Sequence, residues 1–283
     1  MEILSRRKIE NGTGRTLCRR RPIRVITYLA PNLLWFYEFV SRYLSKRLCY
    51  PTEFAVGSDY SRLPGRADIA FVCGLPYVEL ARPGLPRMKP LVAPVLRGER
   101  YGGKAIYFSD VIVRTDSPFL SFDDLRGRSW AYNERQSQSG YGIVRYHLIK
   151  MGETNGYFSR VIEAGYHERA VSMVNSGEVD ASAIDSHVLS LVLRHNPAFA
   201  TRLRVIDALG PSPIQPVVAG NHLPKSLTSE VKKILLDMDH DPMAEPELAR
   251  ALVERFEPVS DSSYDDIRRM RAVAEDAQFL TIR

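Results

Sequence analysis

Short apolar runs alternate with amphipathic helical stretches twice along this chain, and that alternation limits the folds open to it. "IRVITYLA" (23–30) reads as a strand. "PNLLWFYEFVSRYLSKRL" (31–48) follows, with Leu34, Phe36, Phe39, Val40, Tyr43 and Leu44 at helical spacing and Pro31 near its start. "TEFAV" (52–56) and "ADIAFVCG" (67–74) then read as strands, the second one buried. The resulting β-α-β-(short helix)-β order favours a parallel sheet with covering helices.

A second series begins after "GERYGGK" (98–104). "AIYFSDVIVR" (105–114) reads as a long strand, "SFDDL" (121–125) as a short helix capped by Ser121, and "RSWAYN" (128–133) as a strand. A serine-led helix, "RVIEAG" (160–165), the helix "HERAVSMVNSG" (167–177) and the strand "VDASAID" (179–185) follow. The two series share an echo: Gly65-Arg66-Ala67-Asp68-Ile69-Ala70 matches Gly177-Glu178-Val179-Asp180-Ala181-Ser182. In each, glycine ends a helical segment and aspartate precedes a buried strand. "RLRVIDALGPSPIQPVVAG" (202–220) reads as the return from the second series, and from Pro224 onward the chain reads as helices broken at Pro242, Pro246 and Pro258. The expected organisation is two α/β lobes. One comprises 22–103 with 223–283 and the other 104–222, after a basic leader over 1–21.

The formal charge of +6 tempts one toward nucleic acid, but its location argues against that. Residues 1–24 hold eight basic residues against two acidic ones, leaving 31 of the 39 basic and 31 of the 33 acidic residues for a neutral body. A basic tail on a neutral body is not a nucleic-acid-binding face. No apolar run is long enough to span a membrane, and the N-terminus lacks the apolar core of a secretory signal. Cys18, Cys49 and Cys73 are odd in number and show no CxxC spacing, so neither a disulfide framework nor a zinc site is expected. Cys73 reads as a small buried hydrophobe.

The chemistry concentrates at "NERQSQSGYGIVRYHLIKMG" (133–152). Ser137, Gln138, Ser139 and Gly140 precede an amphipathic run, with Gly152 placed to end the helix. Hydroxyls, backbone N–H groups near Gly140 and Tyr141, and the positive end of the helix dipole converge there, which suits an anion; the serines as mere caps is the competing reading. His167 begins the next helix at the same topological position, and its imidazole is able to donate to an oxyanion. Asp185, Ser186 and His187 fall at the carboxyl end of another strand, where they read either as an ordinary polar loop or as a third wall of the same cleft. Of the other histidines, His147 reads as structural and His195, His222 and His240 as solvated. No nucleophile elbow, P-loop, dinucleotide fingerprint or HExxH is present, so no catalytic residue, metal ligand or cofactor is assigned.

With these pieces in place, the sequence resembles the phosphate/phosphite/phosphonate substrate-binding proteins of ABC transporters from about Arg24 to about Arg271. "YFSDVIVRTDSPFLSFDDLRGRSWAYNERQSQSG" (107–140) looks like the family's strand, turn, strand and S-x-S-G anion loop. "EAGYHERAVSMVNSGEVDASAID" (163–185) looks like its G-x-H helix and the strand after it, and "ADIAFVCGLPYV" (67–78) is similar to its first-lobe segment. The resemblance implies a type II periplasmic-binding-protein-like α/β fold, each lobe a mixed sheet with covering helices, with the ligand cleft between lobes. It further implies that Ser137, Gln138, Ser139 and His167 hold an oxyanion and that Tyr60 faces it. Tyr77 stands in for the tyrosine that family members often have at the position of Val72. Where the family holds a ligand amino group with acidic residues, this chain has His187 and Gln215, which argues against an aminoalkylphosphonate. Asp185 could meet a donor on the ligand but would repel a bare dianion. The implied partners are a small anionic ligand and an ABC permease, with no nucleic acid and a monomeric chain. Periplasmic placement follows from the resemblance. A cytoplasmic sensor or biosynthetic enzyme on the same scaffold is the alternative, since one fold hosts many functions.

Overall fold

The computed structural model describes residues 21–81 and 88–282; the expected leader over 1–20 lies outside the described residues. The first series forms β1 (Ile23–Thr27), α1 (Leu34–Leu48), β2 (Thr52–Val56), α2 (Leu63–Arg66), β3 (Ile69–Phe71), α3 (Gly74–Leu80) and β4 (Met88–Leu96). The second forms β5 (Ile106–Arg114), β6 (Ser129–Tyr132), α4 (Ile143–Lys150), β7 (Arg160–Glu163), α5 (His167–Ser176), β8 (Ala181–Asp185), α6 (Ser186–His195), α7 (Pro197–Arg202) and β9 (Leu203–Pro213). The chain returns through β10 (Val217–Gly220), α8 (Lys225–Leu236), α9 (Glu245–Arg250), β11 (Val253–Pro258) and α10 (Asp265–Asp276).

These strands build two mixed sheets, ordered β11-β4-β10-β3-β1-β2 and β7-β6-β8-β5-β9. In the first, β1 runs parallel to β2 and β3; in the second, β6 runs parallel to β7 and β8. Helix α1 buries Phe36, Tyr37, Val40, Tyr43 and Leu44 on one stripe, the face its apolar spacing dictates. Its first turn, Pro31–Leu33, is a 3-10 turn opened by the proline. In the second lobe Phe122, Trp130, Tyr157 and Phe158 pack ring on ring, with Trp130 stacked on Phe158 at 4.6 Å between centroids.

The repeated aspartate has one job in both lobes. Asp68 Oδ2 accepts the backbone N–H of Arg24 at the start of β1 (2.8 Å), and Asp180 Oδ2 accepts that of Ser129 at the start of β6 (2.8 Å). In each case the carboxylate satisfies an N–H at the start of the neighbouring parallel strand, Arg24 being the second residue of β1 and Ser129 the first of β6. Asp68 also meets Arg21 at 2.6 Å and lies 2.8 Å from His222 Nε2, so the exposed His222 ring has a hydrogen-bond partner.

Two crossings join the lobes, between β4 and β5 and between β9 and β10. They touch each other, the N–H of Ile214 donating to the carbonyl of Ala105 at 3.1 Å. The lobe limits differ from the sequence expectation at three points. Arg21 is already tied to Asp68, so lobe one begins before residue 22. Strand β10 pairs with β3 and β4, so the chain re-enters the first sheet by Val217 rather than after 222. The C-terminal segment does not stay with lobe one. Tyr264 and Ile267 pack into a first-lobe cluster, while Met270, Phe279 and Ile282 pack into the second lobe's core.

Candidate functional site: a cavity between the lobes

The carboxyl ends of the parallel strands in both sheets open onto one cavity of about 250 Å³. A strand's end leaves backbone and side-chain donors facing outward, and helices begin there. In lobe two, β6 ends at Tyr132 and the chain makes a wide π-type turn, Gln138–Gly142, before α4. Ser137 Oγ accepts the N–H of Gly140 at 3.0 Å and lies 3.3 Å from Ser139 Oγ. Ser139 Oγ in turn lies 3.0 Å from His167 Nε2. All of these side chains are buried. Gly140 is required by close approach, because a Cβ there would stand 2.0 Å from Asn133 Oδ1. Ser137 therefore caps the turn and lines the cavity at once.

His167 opens α5 immediately after the Gly165-Tyr166 turn. Its Nδ1 is buried with no partner among the described residues, and burial pushes its pKa down to about 3. The ring is therefore neutral. A neutral imidazole between Ser139 and the cavity offers or accepts one hydrogen bond, depending on which nitrogen carries the proton. It makes a poor general base, since its proton affinity lies far below that suited to neutral pH. Nor does a third group orient it through Nδ1, as a nucleophile-activating triad requires.

Asp185 ends β8 and caps α6. Its Oδ1 accepts the N–H groups of His187 (2.8 Å) and Val188 (3.3 Å), and its Oδ2 accepts Gln215 Nε2 (2.6 Å), reaching in from the second crossing. Burial raises its pKa to about 6 against the opposing pull of these hydrogen bonds. His187 Nε2 lies 2.6 Å from the carbonyl of Ala251, which can only accept, so that nitrogen carries the proton; burial lowers the ring's pKa to about 4. Lobe one supplies the opposite wall. Tyr28 and Tyr60 stack with centroids 4.7 Å apart, and Tyr60 Oη donates to the carbonyl of Tyr28 at 3.1 Å. Cys73 is a buried free thiol, pushed up to about 12 by burial, whose Sγ accepts the N–H of Gln138 across the cleft at 3.4 Å.

The lining carries two carboxyl groups, Asp185 and Glu134, and among the described lining residues neither lysine nor arginine. Burial raises Glu134 as well, with Glu163 adding to the shift. An oxyanion here would be met by hydroxyls and a neutral ring rather than by an ion pair.

Six of the sequence-derived site residues line this cavity: Ser137, Ser139, His167, Tyr60, Asp185 and His187. Gln138 and Gly140 are buried beside it without lining it. The Gln138 amide turns away, its Nε2 lying 3.2 Å from Met270 Sδ and 3.5 Å from Ser212 Oγ. Tyr77 does not reach the cavity. It sits one helical turn beyond Cys73, and its hydroxyl donates to Asp261 Oδ1 at 2.5 Å while its ring meets the edge of Tyr264. Tyr28, Asn133 and Glu134 also line the cavity and were not singled out from sequence. Tyr28 and Asn133 directly follow a strand's carboxyl end and Glu134 is one residue further on, and that position was the available signal.

Residues 27–264 match the family described as ABC transporter, phosphonate, periplasmic substrate-binding protein. The chain belongs to this family. Similar solved structures come from several bacteria. A binding protein component of an ABC phosphonate transporter from Pseudomonas aeruginosa superposes with a TM-score of 0.79 at 18% identity, covering 92% of this chain and 88% of that one. PhnD1 from Prochlorococcus marinus, solved with methylphosphonate, gives 0.74 at 19% identity, covering 90% and 98%. A protein from Xanthomonas citri, solved bound to chloride ion, gives 0.66 at 19% identity over the same shares. Members of the family are solute-binding components of transporters, and the two-lobed architecture here is theirs.

Proposed function

We propose that this chain closes its lobes over a small phosphorus oxyanion, of the phosphonate, phosphite or phosphate kind, and delivers it to an ABC permease. One observation carries this reading: the buried Ser137–Ser139–His167 chain on the inner wall of a cavity shared by both lobes. The two hydroxyls and the neutral ring supply donors, while the start of α4 adds the positive end of its dipole. Binding rather than catalysis fits the weak basicity of His167 and its unpartnered Nδ1. The chain acts as a monomer in the periplasm, as befits its family, with Tyr28 and Tyr60 facing the substituent on phosphorus.

A thermal-shift screen followed by calorimetry with methylphosphonate, phosphite and phosphate tests the reading. Methylphosphonate, which PhnD1 from Prochlorococcus marinus was solved with, is the first probe. The double substitution Ser137→Ala, Ser139→Ala should weaken the best ligand by roughly two to four decades, since each hydrogen bond to a charged group contributes about 1.5–3 kcal/mol. If the folded double variant binds normally, the serines are caps and the anion lies elsewhere.

A further inference from the structure

Asp185 places a carboxyl group inside a cavity whose described lining offers no cation to offset it. Such a group has about four acceptor positions. Three are filled by the N–H groups of His187 and Val188 and by Gln215 Nε2, which leaves one on Oδ2. The titratable neighbours do not neutralise it. Tyr37, Tyr107 and Cys73 are held protonated by burial, Tyr101 is likewise raised and hydrogen-bonds Ser186, and His187 spends its one proton on Ala251. Asp110, the nearest other acid, is engaged by both terminal nitrogens of Arg100. Across the cavity, Glu134 adds a second acid and no positive charge. The lining thus holds both kinds of group: hydroxyl and imidazole donors at Ser137, Ser139 and His167, and an acceptor at Asp185.

We infer that the site takes up one proton from solvent together with a dianionic ligand, shared between Asp185 Oδ2 and a ligand oxygen, so that ligand and carboxylate together carry two negative charges rather than three. The inference rests on the proposed oxyanion reading. Its physical ground is that like charges confined in about 250 Å³ repel one another, and the proton removes one of them while forming the P–O–H···O–C bond that fills the remaining acceptor position. No bond to phosphorus is made or broken.

Calorimetry of the full chain with methylphosphonate tests this above the ligand's second ionisation, in two buffers of unlike ionisation enthalpy. Uptake approaching one proton is expected, with affinity falling about tenfold per pH unit as the solvent gives up protons less readily. In Asp185→Asn, which keeps a capping oxygen, uptake should drop toward zero and the pH dependence should flatten. Binding without proton uptake by the wild-type chain would overturn the inference while leaving the oxyanion reading intact. Uptake that survives Asp185→Asn but disappears in Glu134→Gln would move the proton to Glu134 and overturn the assignment. No binding of methylphosphonate, phosphite or phosphate at any pH would overturn the oxyanion reading itself, and this inference with it.

Discussion

His167 and Gly140 show how single residues leave measurable marks. The folded pKa of His167, about 3, lies below its ordinary value of 6.5. Between those values the unfolded chain binds a proton that the folded chain refuses, so stability falls as pH drops through this window. His187, at about 4, acts in the same sense. Asp185 acts in the opposite one: raised from 3.8 to about 6, it holds a proton in the folded state that the unfolded state has released, so its cost to stability is relieved on acidification. Chemical denaturation of His167→Gln should therefore show a shallower loss of stability between pH 6.5 and 4 than the wild type. Parallel curves would mean that the ring is not held neutral by burial. Gly140→Ala drives a methyl into Asn133 and should cost about 1–3 kcal/mol as overpacking. Adding Asn133→Ala should restore part of the melting temperature, because the 2.0 Å clash is with that side chain, while the Asn133 backbone nitrogen at 3.3 Å still crowds the methyl.

At the scale of elements, the Gly-x-x-Asp echo was visible in the sequence, but its meaning was not. Both aspartates hold an N–H at the start of a neighbouring parallel strand, a partner 44 residues away for Asp68 and 51 for Asp180. Asp180→Ala should destabilise by about 1–3 kcal/mol, the cost of a buried donor left unpaired. It should leave ligand affinity unchanged, since Asp180 sits at the amino ends of the strands, opposite the cavity. Asp68→Ala should cost more in urea denaturation, because Arg21, Arg24 and His222 lose a shared partner whose side chain is 2% exposed. Equal losses would show that the ion pairs around Asp68 contribute nothing beyond the strand contact. The serine turn teaches the complementary lesson. Apolar spacing placed a helix after the serines, and α4 is there, but the chain enters it through a π-type turn that Gly140 and Gly142 permit.

For the whole molecule, the contacts between lobes away from the crossings matter most. The N–H of Asn32, at the start of lobe one's first helix, donates to Glu168 Oε1 at 2.8 Å, and Asn32 Nδ2 reaches the carbonyl of Val188 at 3.3 Å. Glu168 follows His167 in α5, so this inter-lobe contact sits beside the ring that lines the cavity. Two crossings that lean on each other suit a hinge. Glu168→Ala should open the lobes and weaken methylphosphonate binding by roughly ten- to a hundredfold, the equivalent of one hydrogen bond to a charged group. Small-angle scattering should then find the ligand-free variant more extended than the ligand-bound wild type. An unchanged radius of gyration together with wild-type affinity would show that the contact plays no part in closure.

The sequence by itself determined the alternation of strands and helices, the two lobes and the serine and histidine at neighbouring helix starts, because these depend on local periodicity and on which residues end strands. Only the tertiary structure decided which of those residues face the cavity. Tyr77 was misplaced because one turn of helix separates it from Cys73, and helix orientation is set by packing against Tyr264 rather than by spacing. The Tyr28–Tyr60 stack, Gln215 on Asp185 and the orphaned Nδ1 of His167 depend on contacts between distant segments. The same holds for the C-terminal helix, whose two ends pack into different lobes; a helical repeat in sequence says which face is apolar, not which surface it meets.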